Sequence, residues 1–187
     1  MQPDRVVKIS KYLSKHLRHQ PDRLGLTLAP GGWVEIETLL VACAAHHFPI
    51  DRADLETVVA ENDKQRLSID PARTHIRANQ GHSVEVDLQL EPQAPPNLLY
   101  HGTGEQSIDS ILQSGLQKMR RHHVHLSQEI QTAIRVGRRH GRPAVLAIDA
   151  AAMHTDGFAF YCSDNQVWLV DRVPPNYLER IEIRSDR

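Results

Sequence analysis

Glu91 to Asn97 reads EPQAPPN. Three prolines in seven residues fix φ and remove backbone donors, so neither a helix nor a strand runs through this stretch. It lacks any apolar pattern and separates two pieces of comparable size. We read it as a linker between an N-terminal lobe, residues 1–92, and a C-terminal lobe, residues 93–187. A chain of 187 residues accommodates two such lobes. With 40% hydrophobic and 24% charged residues, it has the means to build packed cores.

Upstream of the linker, a helix is expected from Val6 to His19, stopped by Pro21. At 100° per residue, Val6, Ile9, Tyr12, Leu13 and Leu17 share one half of the helical wheel. Lys8, Lys11, Lys15, Arg18 and His19 fall on the other, and no acidic residue lies between Arg5 and His19. The helix should pack on one face and offer positive charge on the other. In GGWVEIETLL, a glycine turn precedes Trp33 and Val34, and a helix from Glu35 to Ala45 follows. Asp51 is placed to cap a further helix reaching about Glu61. Arg66–Ile69 and Thr74–Arg77 read as two strands around an Asp70-Pro71 turn. Helices followed by a β-hairpin suggest a winged-helix-like lobe, a fold that does not by itself license a function.

Downstream, Leu98–His101 is expected as a strand entering Gly102-Thr103-Gly104, and Ser107–Ser114 as a helix closed by Gly115. His123–Leu126 reads as a strand, with Ser127 capping a helix to about Arg139. Ala144–Ile148, Phe158–Tyr161, Val167–Val170 and Ile181–Ile183 read as further strands. Strands outnumber helices and the connections are too short for repeated crossovers, so an α+β sandwich is expected rather than a doubly wound sheet. No G-x-G-x-x-G follows a strand, which removes a Rossmann dinucleotide site.

Bulk properties narrow the function. No apolar run approaches the roughly 18 to 20 residues of a membrane span. The start, MQPDRVVKISKYLSKHLRHQ, has no signal-peptide core. A cytoplasmic monomer is expected, or a nuclear one in a eukaryote. Cys43 and Cys162 form neither a disulfide framework nor a zinc motif, and Cys43 sits in an apolar run as a small buried residue. The net charge of −1 excludes a grip on long nucleic acid by overall charge, so any such contact is local. The 12 histidines supply groups that donate, accept or titrate.

Several residue groups carry chemistry. Arg18-His19 ends the basic helix, where a guanidinium beside an imidazole suits a phosphate dianion, although helix C-termini also carry basic residues for dipole reasons. Lys64-Gln65-Arg66 precedes one strand of the hairpin, and Arg77, Gln80, His82 and Ser83 surround Gly81 after the other, either as ligand contacts or as a polar turn. His101 and Thr103 alternate around Gly102, which leaves space for a ligand or marks a turn. Arg121, His123 and His125 alternate before Ser127. Two histidines at i, i+2 without carboxylate or thiolate partners make a poor metal shell, so a face for an anionic ligand fits better and no metal is expected.

In order along the chain, SKYLSKHLRH, GGWVEIETLL, NDKQRLSI, IRANQGHS, LLYHGT, ILQSGL, RHHVHLS, VGRRHG and VWLVDRVPPNYL resemble the RNA 2′-phosphotransferases, the KptA-type enzymes, from about Ile9 to about Leu178. The resemblance implies an N-terminal winged-helix lobe that binds RNA and a C-terminal lobe of the ADP-ribosyltransferase fold that binds NAD. It implies that an internal RNA 2′-phosphate, of the tRNA splice-junction type, attacks the nicotinamide-bearing ribose carbon of NAD and expels nicotinamide. The 2″-hydroxyl of the ADP-ribosylated intermediate then attacks phosphorus, releasing 2′-hydroxyl RNA and ADP-ribose 1″,2″-cyclic phosphate. The family's catalytic tetrad falls on Arg18, His19, Arg66 and Arg121. Its NAD-contacting positions fall on His101, Gly102, Thr103, His125, Ser127 and Val167, with Arg77, Gln80 and His82 as further contributors from the N-terminal lobe; Lys8, Lys11 and Lys15, read from the helix's charge alone, are either RNA contacts or an ordinary solvated face. A hydrophobic Val167, where protein-modifying relatives of the fold usually carry glutamate, suits a nucleophile that is already anionic. Where the family often has Asn-Gly, this chain has Asn165-Gln166. Two other readings compete: a one-step ADP-ribosyltransferase that caps nucleic-acid phosphates or modifies a protein, which has no need of the tetrad, and a non-enzymatic winged-helix binder, which leaves the C-terminal half unexplained.

Overall fold

The first helix, α1, spans Pro3–His19 and is amphipathic as its sequence requires. Ile9, Leu13 and Leu17 are fully buried, while Val6 and Tyr12 pack partly against the same core. Lys8, Lys11 and Lys15 are exposed as expected, but Arg18 is half-buried and leaves the lysine face. Pro21 then opens a short 3-10 turn, Pro21–Leu24, closed by Gly25 at φ 63. The computed structural model describes residues 3–61 and 65–183. Asn62, Asp63 and Lys64, the start of the string NDKQRLSI, lie outside the described residues.

Gly31 and Gly32 adopt φ 81 and 76 and deliver the chain into β1, Trp33–Glu35. The sequence reading has no strand here; the segment pairs because the turn aligns it with a free hairpin edge. Helix α2, Ile36–Ala45, consequently begins one residue later than expected. Asp51 caps α3, Arg52–Ala60, by accepting the Asp54 amide at 2.6 Å. Strands β2, Leu67–Ile69, and β3, His75–Ala78, form the expected hairpin, each starting one residue later than expected. Asp70 stabilises their turn by accepting the amides of Thr74 at 2.7 Å and His75 at 2.8 Å. The sheet order is β1-β3-β2, all antiparallel. Leu39 and Cys43 of α2, Leu55 and Val58 of α3, and Leu67, Ile76 and Ala78 of the sheet complete the core. Burial pushes the Cys43 thiol up to about 11, in keeping with a packing role.

The second half is built on β4, Leu98–Gly104, which continues as strand through the residues after His101. It pairs along its length with β7, Pro143–Asp149, and β11, Leu178–Ile181, lines the other side of β7. A second antiparallel sheet joins β6, Val124–Leu126, to β9, Trp168–Val170, and β8, Phe160–Cys162. The two sheets share a core of Leu99, Leu146 and Ile148 with Val124, Leu126, Phe160 and Val170. Helix α4, Ile108–Ser114, is closed by Gly115 as expected. Helix α5, Ile130–Gly137, covers the outer face of the first sheet through Ala133 and Ile134 against Val145.

Several details of this half differ from the sequence reading, among them β8, which runs from Phe160 to Cys162 where the sequence predicts a strand from Phe158 to Tyr161. The α5 cap position belongs to Glu129, while Ser127 bridges to Tyr100 through two 2.8 Å backbone hydrogen bonds. Val167 precedes β9 instead of starting it, because Ser163 holds it in a turn. The last strand ends at Ile181, where the expected one begins. A helix, α6, Ala150–Thr155, and a two-stranded ribbon of β5, Leu116–Gln117, and β10, Arg172–Val173, were unanticipated. The α6 helix follows β7 directly because Asp149 caps it, accepting the Ala152 amide at 2.9 Å. The chain divides into two compact units, Met1–Leu90, a helical unit with a small sheet, and Glu91–Arg187, a mixed unit of sheets and short helices. No helix among the described residues is long and apolar enough to cross a membrane.

Candidate active site

In the N-terminal unit, three expected residues converge on the loop that leaves β3. Arg18, in the last turn of α1, donates through Nη2 to the carbonyl of Arg66 at 3.3 Å. The same carbonyl accepts the Asn79 amide at 3.0 Å. The Asn79 side chain donates to the Gln65 carbonyl at 2.7 Å, so this one residue holds both backbone positions that aim Arg66. The loop then turns back over the helix. Gly81 allows the reversal at φ 86, and a Cβ there would stand in ordinary contact with the Arg18 guanidinium, 3.8 Å from Nη1. The Ser83 amide donates to the Arg18 carbonyl at 2.9 Å, and its hydroxyl shares a 2.9 Å hydrogen bond with His19 Nδ1. His19 is exposed at this end of the helix.

The remaining residues expected to touch substrate divide into three kinds. Lys8, Lys11 and Lys15 are open to solvent. The Arg77 guanidinium lies over the Trp33 ring at 4.6 Å, a cation–π contact that fixes it on the sheet. Gln80 is half-buried, whereas His82 is only 1% exposed and packs beside Gly32. Asn79, absent from the expected set, is the residue the sequence did not single out.

In the C-terminal unit, β4 and β6 bring their histidines together. His101 Nδ1 donates to the His125 carbonyl at 3.1 Å. Burial pushes the His101 pKa down, and the charges of Arg121 and His140 act in the same direction. The hydrogen bond to the His125 carbonyl opposes these effects without cancelling them, and a neutral ring that donates through Nδ1 carries its lone pair on Nε2. Arg121, exposed and ahead of β6, donates through Nη1 to His125 Nδ1 at 3.3 Å. The strand starts only at Val124, so the expected alternation of Arg121, His123 and His125 along one strand face does not occur. Arg121 reaches His125 from the preceding turn, while the His123 ring turns to Tyr161, 5.5 Å between centroids.

Gly102 has a different reason from the one expected. A Cβ there would meet the Ala133 carbonyl oxygen at 1.7 Å, so the glycine admits α5 onto the sheet. His101 and Thr103 point to the opposite face, as strand alternation requires. Thr103 is 9% exposed and Ser127 is half-buried. Val167 is held by Ser163, whose amide and hydroxyl both reach the Val167 carbonyl, at 3.0 and 3.1 Å. Gln166, in the place where the family often has glycine, adopts φ 59. That left-handed conformation is where a glycine costs least, so the turn survives here with a residue it strains. Among the described residues, no group of three or more histidines, cysteines or acids is placed to hold a metal ion.

Comparison with known proteins bears on this arrangement. Residues 4–172 match the family described as RNA 2′-phosphotransferase, Tpt1 / KptA family. A probable RNA 2′-phosphotransferase of Trichormus variabilis is 67% identical over 178 residues, 95% of this chain and 98% of that protein. One of Streptomyces coelicolor is 56% identical, covering 95% and 97% of the two chains, and one of Flavobacterium johnsoniae is 46% identical, covering 91% and 94%. The chain belongs to the RNA 2′-phosphotransferase family, and with it to the NAD-dependent transferases that remove a 2′-phosphate from RNA.

Proposed function

We propose that Arg18, His19, Arg66 and Arg121 are the catalytic residues of this reaction, acting on the RNA 2′-phosphate, and that the physiological substrate is a tRNA-like splice junction. In this reading the N-terminal unit is a winged-helix lobe that binds RNA, with Lys8, Lys11 and Lys15 along the flanking backbone. The C-terminal unit is an ADP-ribosyltransferase-fold lobe that binds NAD.

The single observation that carries the assignment is the tie between Arg18 and the Arg66 carbonyl. The side chain of one arginine is tied to the main chain of another distant in sequence, at the helix end that carries His19. A 2′-phosphate brings close to two negative charges, and phosphoryl transfer spreads that charge over equatorial oxygens. Guanidinium groups that need no reorganisation stabilise such a distribution. His19, on the exposed helix end with Ser83 orienting its Nδ1, either holds the phosphate or gives a proton to the departing RNA oxygen.

The residues of the C-terminal unit fit NAD. The Nε2 of His101 accepts from a ribose hydroxyl, and the Thr103 and Ser127 hydroxyls complete the contacts to the ADP-ribose in this reading. When bound, NAD supplies an electrophilic ribose carbon and the adjacent hydroxyl that takes up the phosphate. Arg121, oriented by His125, presents its remaining donors to an anion. Val167 offers no base, and none is required for a nucleophile that arrives as a phosphate anion.

The test is incubation of the purified protein with NAD and an RNA bearing one internal 2′-phosphate. The expected outcome is stoichiometric release of nicotinamide and loss of the 2′-phosphate. Nicotinamide release without dephosphorylation would reassign the protein as a one-step transferase, and absence of both would sink the reading.

A further inference from the structure

Between Glu129 and Asp149 the sequence contains no acidic residue, and Arg135, Arg138, Arg139, His140 and Arg142 fall within eight consecutive positions. All five side chains are exposed. None of them takes part in the catalytic or NAD-binding set above.

The backbone that carries them is firmly held. After α5, a 3-10 turn covers Arg138–His140 and Gly141 reverses the chain at φ 107. The His140 carbonyl accepts from Gln106 Nε2 at 2.9 Å, and the Arg142 carbonyl accepts the Glu105 amide at 2.9 Å. A Cβ on Gly104 would stand 2.5 Å from the His140 oxygen, and one on Gly137 would stand 2.7 Å from the Thr103 oxygen. The loop is pinned by its main chain to the end of β4, with its side chains turned outward. Preorganised cations of this kind give up little backbone entropy when an anion arrives.

The charges are also unneutralised. Among the described residues, no carboxylate pairs with Arg138, Arg139 or Arg142. Arg135 donates to the Thr132 hydroxyl at 2.9 Å, and the carboxylate of Glu105 is engaged by Arg180 at 2.5 Å. In a chain of net charge −1, this is a local concentration of positive potential.

We propose that the Arg135–Arg142 loop is a docking surface for the phosphate backbone of the substrate RNA, at nucleotides away from the 2′-phosphate that is removed. The inference rests on the RNA 2′-phosphotransferase reading and extends it. The arginines lie in the open along a reversing loop, and nothing encloses a single nucleotide. That arrangement suits successive phosphates of a polymer. Through Gly137 against the Thr103 main chain, the loop abuts the strand that carries His101.

The experiment uses the full chain with Arg138→Gln, Arg139→Gln and Arg142→Gln combined, and a second variant with lysine at all three positions. Two RNAs bearing an internal 2′-phosphate are compared, one of tRNA length and one a short oligonucleotide spanning only the modified junction. In the glutamine variant, KM for the long RNA is expected to rise about tenfold. Its dependence on log salt is expected to become shallower by about 2, from three contacts at about 0.7 each. The kcat, KM for the short RNA and KM for NAD stay unchanged, and the lysine variant behaves as wild type. An unchanged KM for the long RNA overturns the proposal. So does a raised KM for NAD, which would assign the arginines to the dinucleotide, or equal impairment of the lysine variant with a lowered melting temperature. Failure of the wild-type protein to turn over even the short RNA would instead count against the underlying function.

Discussion

The Arg18 guanidinium is held by the main chain of Arg66, Nη2 to carbonyl oxygen, at 3.3 Å. One proposed phosphate ligand is therefore positioned by the backbone of another, and Asn79 holds that backbone from the far side. Asn79→Ala removes the side-chain donor to the Gln65 carbonyl in a part-buried place. The expected cost is about 1–3 kcal/mol, read as a lower denaturant midpoint. Turnover of 2′-phosphate RNA should fall by on the order of tenfold, through loosened arginines, while KM for NAD stays unchanged. If kcat/KM for RNA is untouched, Asn79 has no positioning role.

Arg121 is exposed and donates to His125 Nδ1, so its replacement probes chemistry without disturbing a core. A lysine keeps the charge but cannot hold His125 and still present a planar fork to an anion. Arg121→Lys is expected to lower kcat by about a hundredfold with an unchanged melting temperature. Near-normal turnover in single-turnover assays would remove Arg121 from the catalytic set.

Gly102→Ala places a methyl 1.7 Å from the Ala133 carbonyl oxygen. Neither α5 nor β4 has a flexible side chain there to yield. We expect a loss of stability of about 3 kcal/mol, seen as a lower melting temperature. Activity should follow the folded fraction. A variant that melted normally but bound NAD weakly would restore the view that Gly102 makes room for ligand.

Gln166 pays a conformational penalty at φ 59. Gln166→Gly is expected to leave turnover unchanged and to raise stability by up to about 1 kcal/mol, the left-handed penalty less the added chain entropy. A destabilised variant would show that the glutamine side chain contributes packing.

Burial lowers the pKa values of His16, His101 and His123 below the ordinary histidine value. The unfolded chain therefore binds more protons than the folded one once the pH drops below about 6.5. Stability should be level from neutral to mildly alkaline pH and decline as the pH falls from about 6.5 through the folded values. Denaturant midpoints measured across this range check it, and His101→Gln should make the decline shallower. The lowered carboxyl pKa of Asp70, caused first by the His75 amide, acts only in a more acidic window.

The fold was legible where periodicity was long or punctuation strong. The Val6–Leu17 stripe, the Asp51 cap, the Asp70-Pro71 turn and the proline-rich linker all rest on local chemistry. What escaped depends on partners distant in sequence. Trp33–Glu35 is too short to signal a strand and becomes one only because β3 lies alongside it. Leu116–Gln117 pairs with Arg172–Val173 across more than fifty residues. The candidate site shows the same division. Arg18, His19 and Arg66 were named from family strings and do converge. Asn79, whose work is done by hydrogen bonds to Gln65 and Arg66, had no local mark of its role. At Gly102 the sequence offers ligand space or a turn as reasons for a glycine, and the close approach of α5 is invisible until the helix is placed.

The last turn of α1 leaves carbonyls that the helix itself does not satisfy, and Ser83, sixty-four residues beyond His19, supplies both an amide for Arg18 and a hydroxyl for His19. The end of the first helix is thus completed by nearly the last segment of its unit to be synthesised. A nascent or partly folded N-terminal unit has the helix but not its closing loop, and contacts between residues so far apart form late. On the proposed assignment, the geometry of the phosphate-holding helix end is acquired only with completion of the unit.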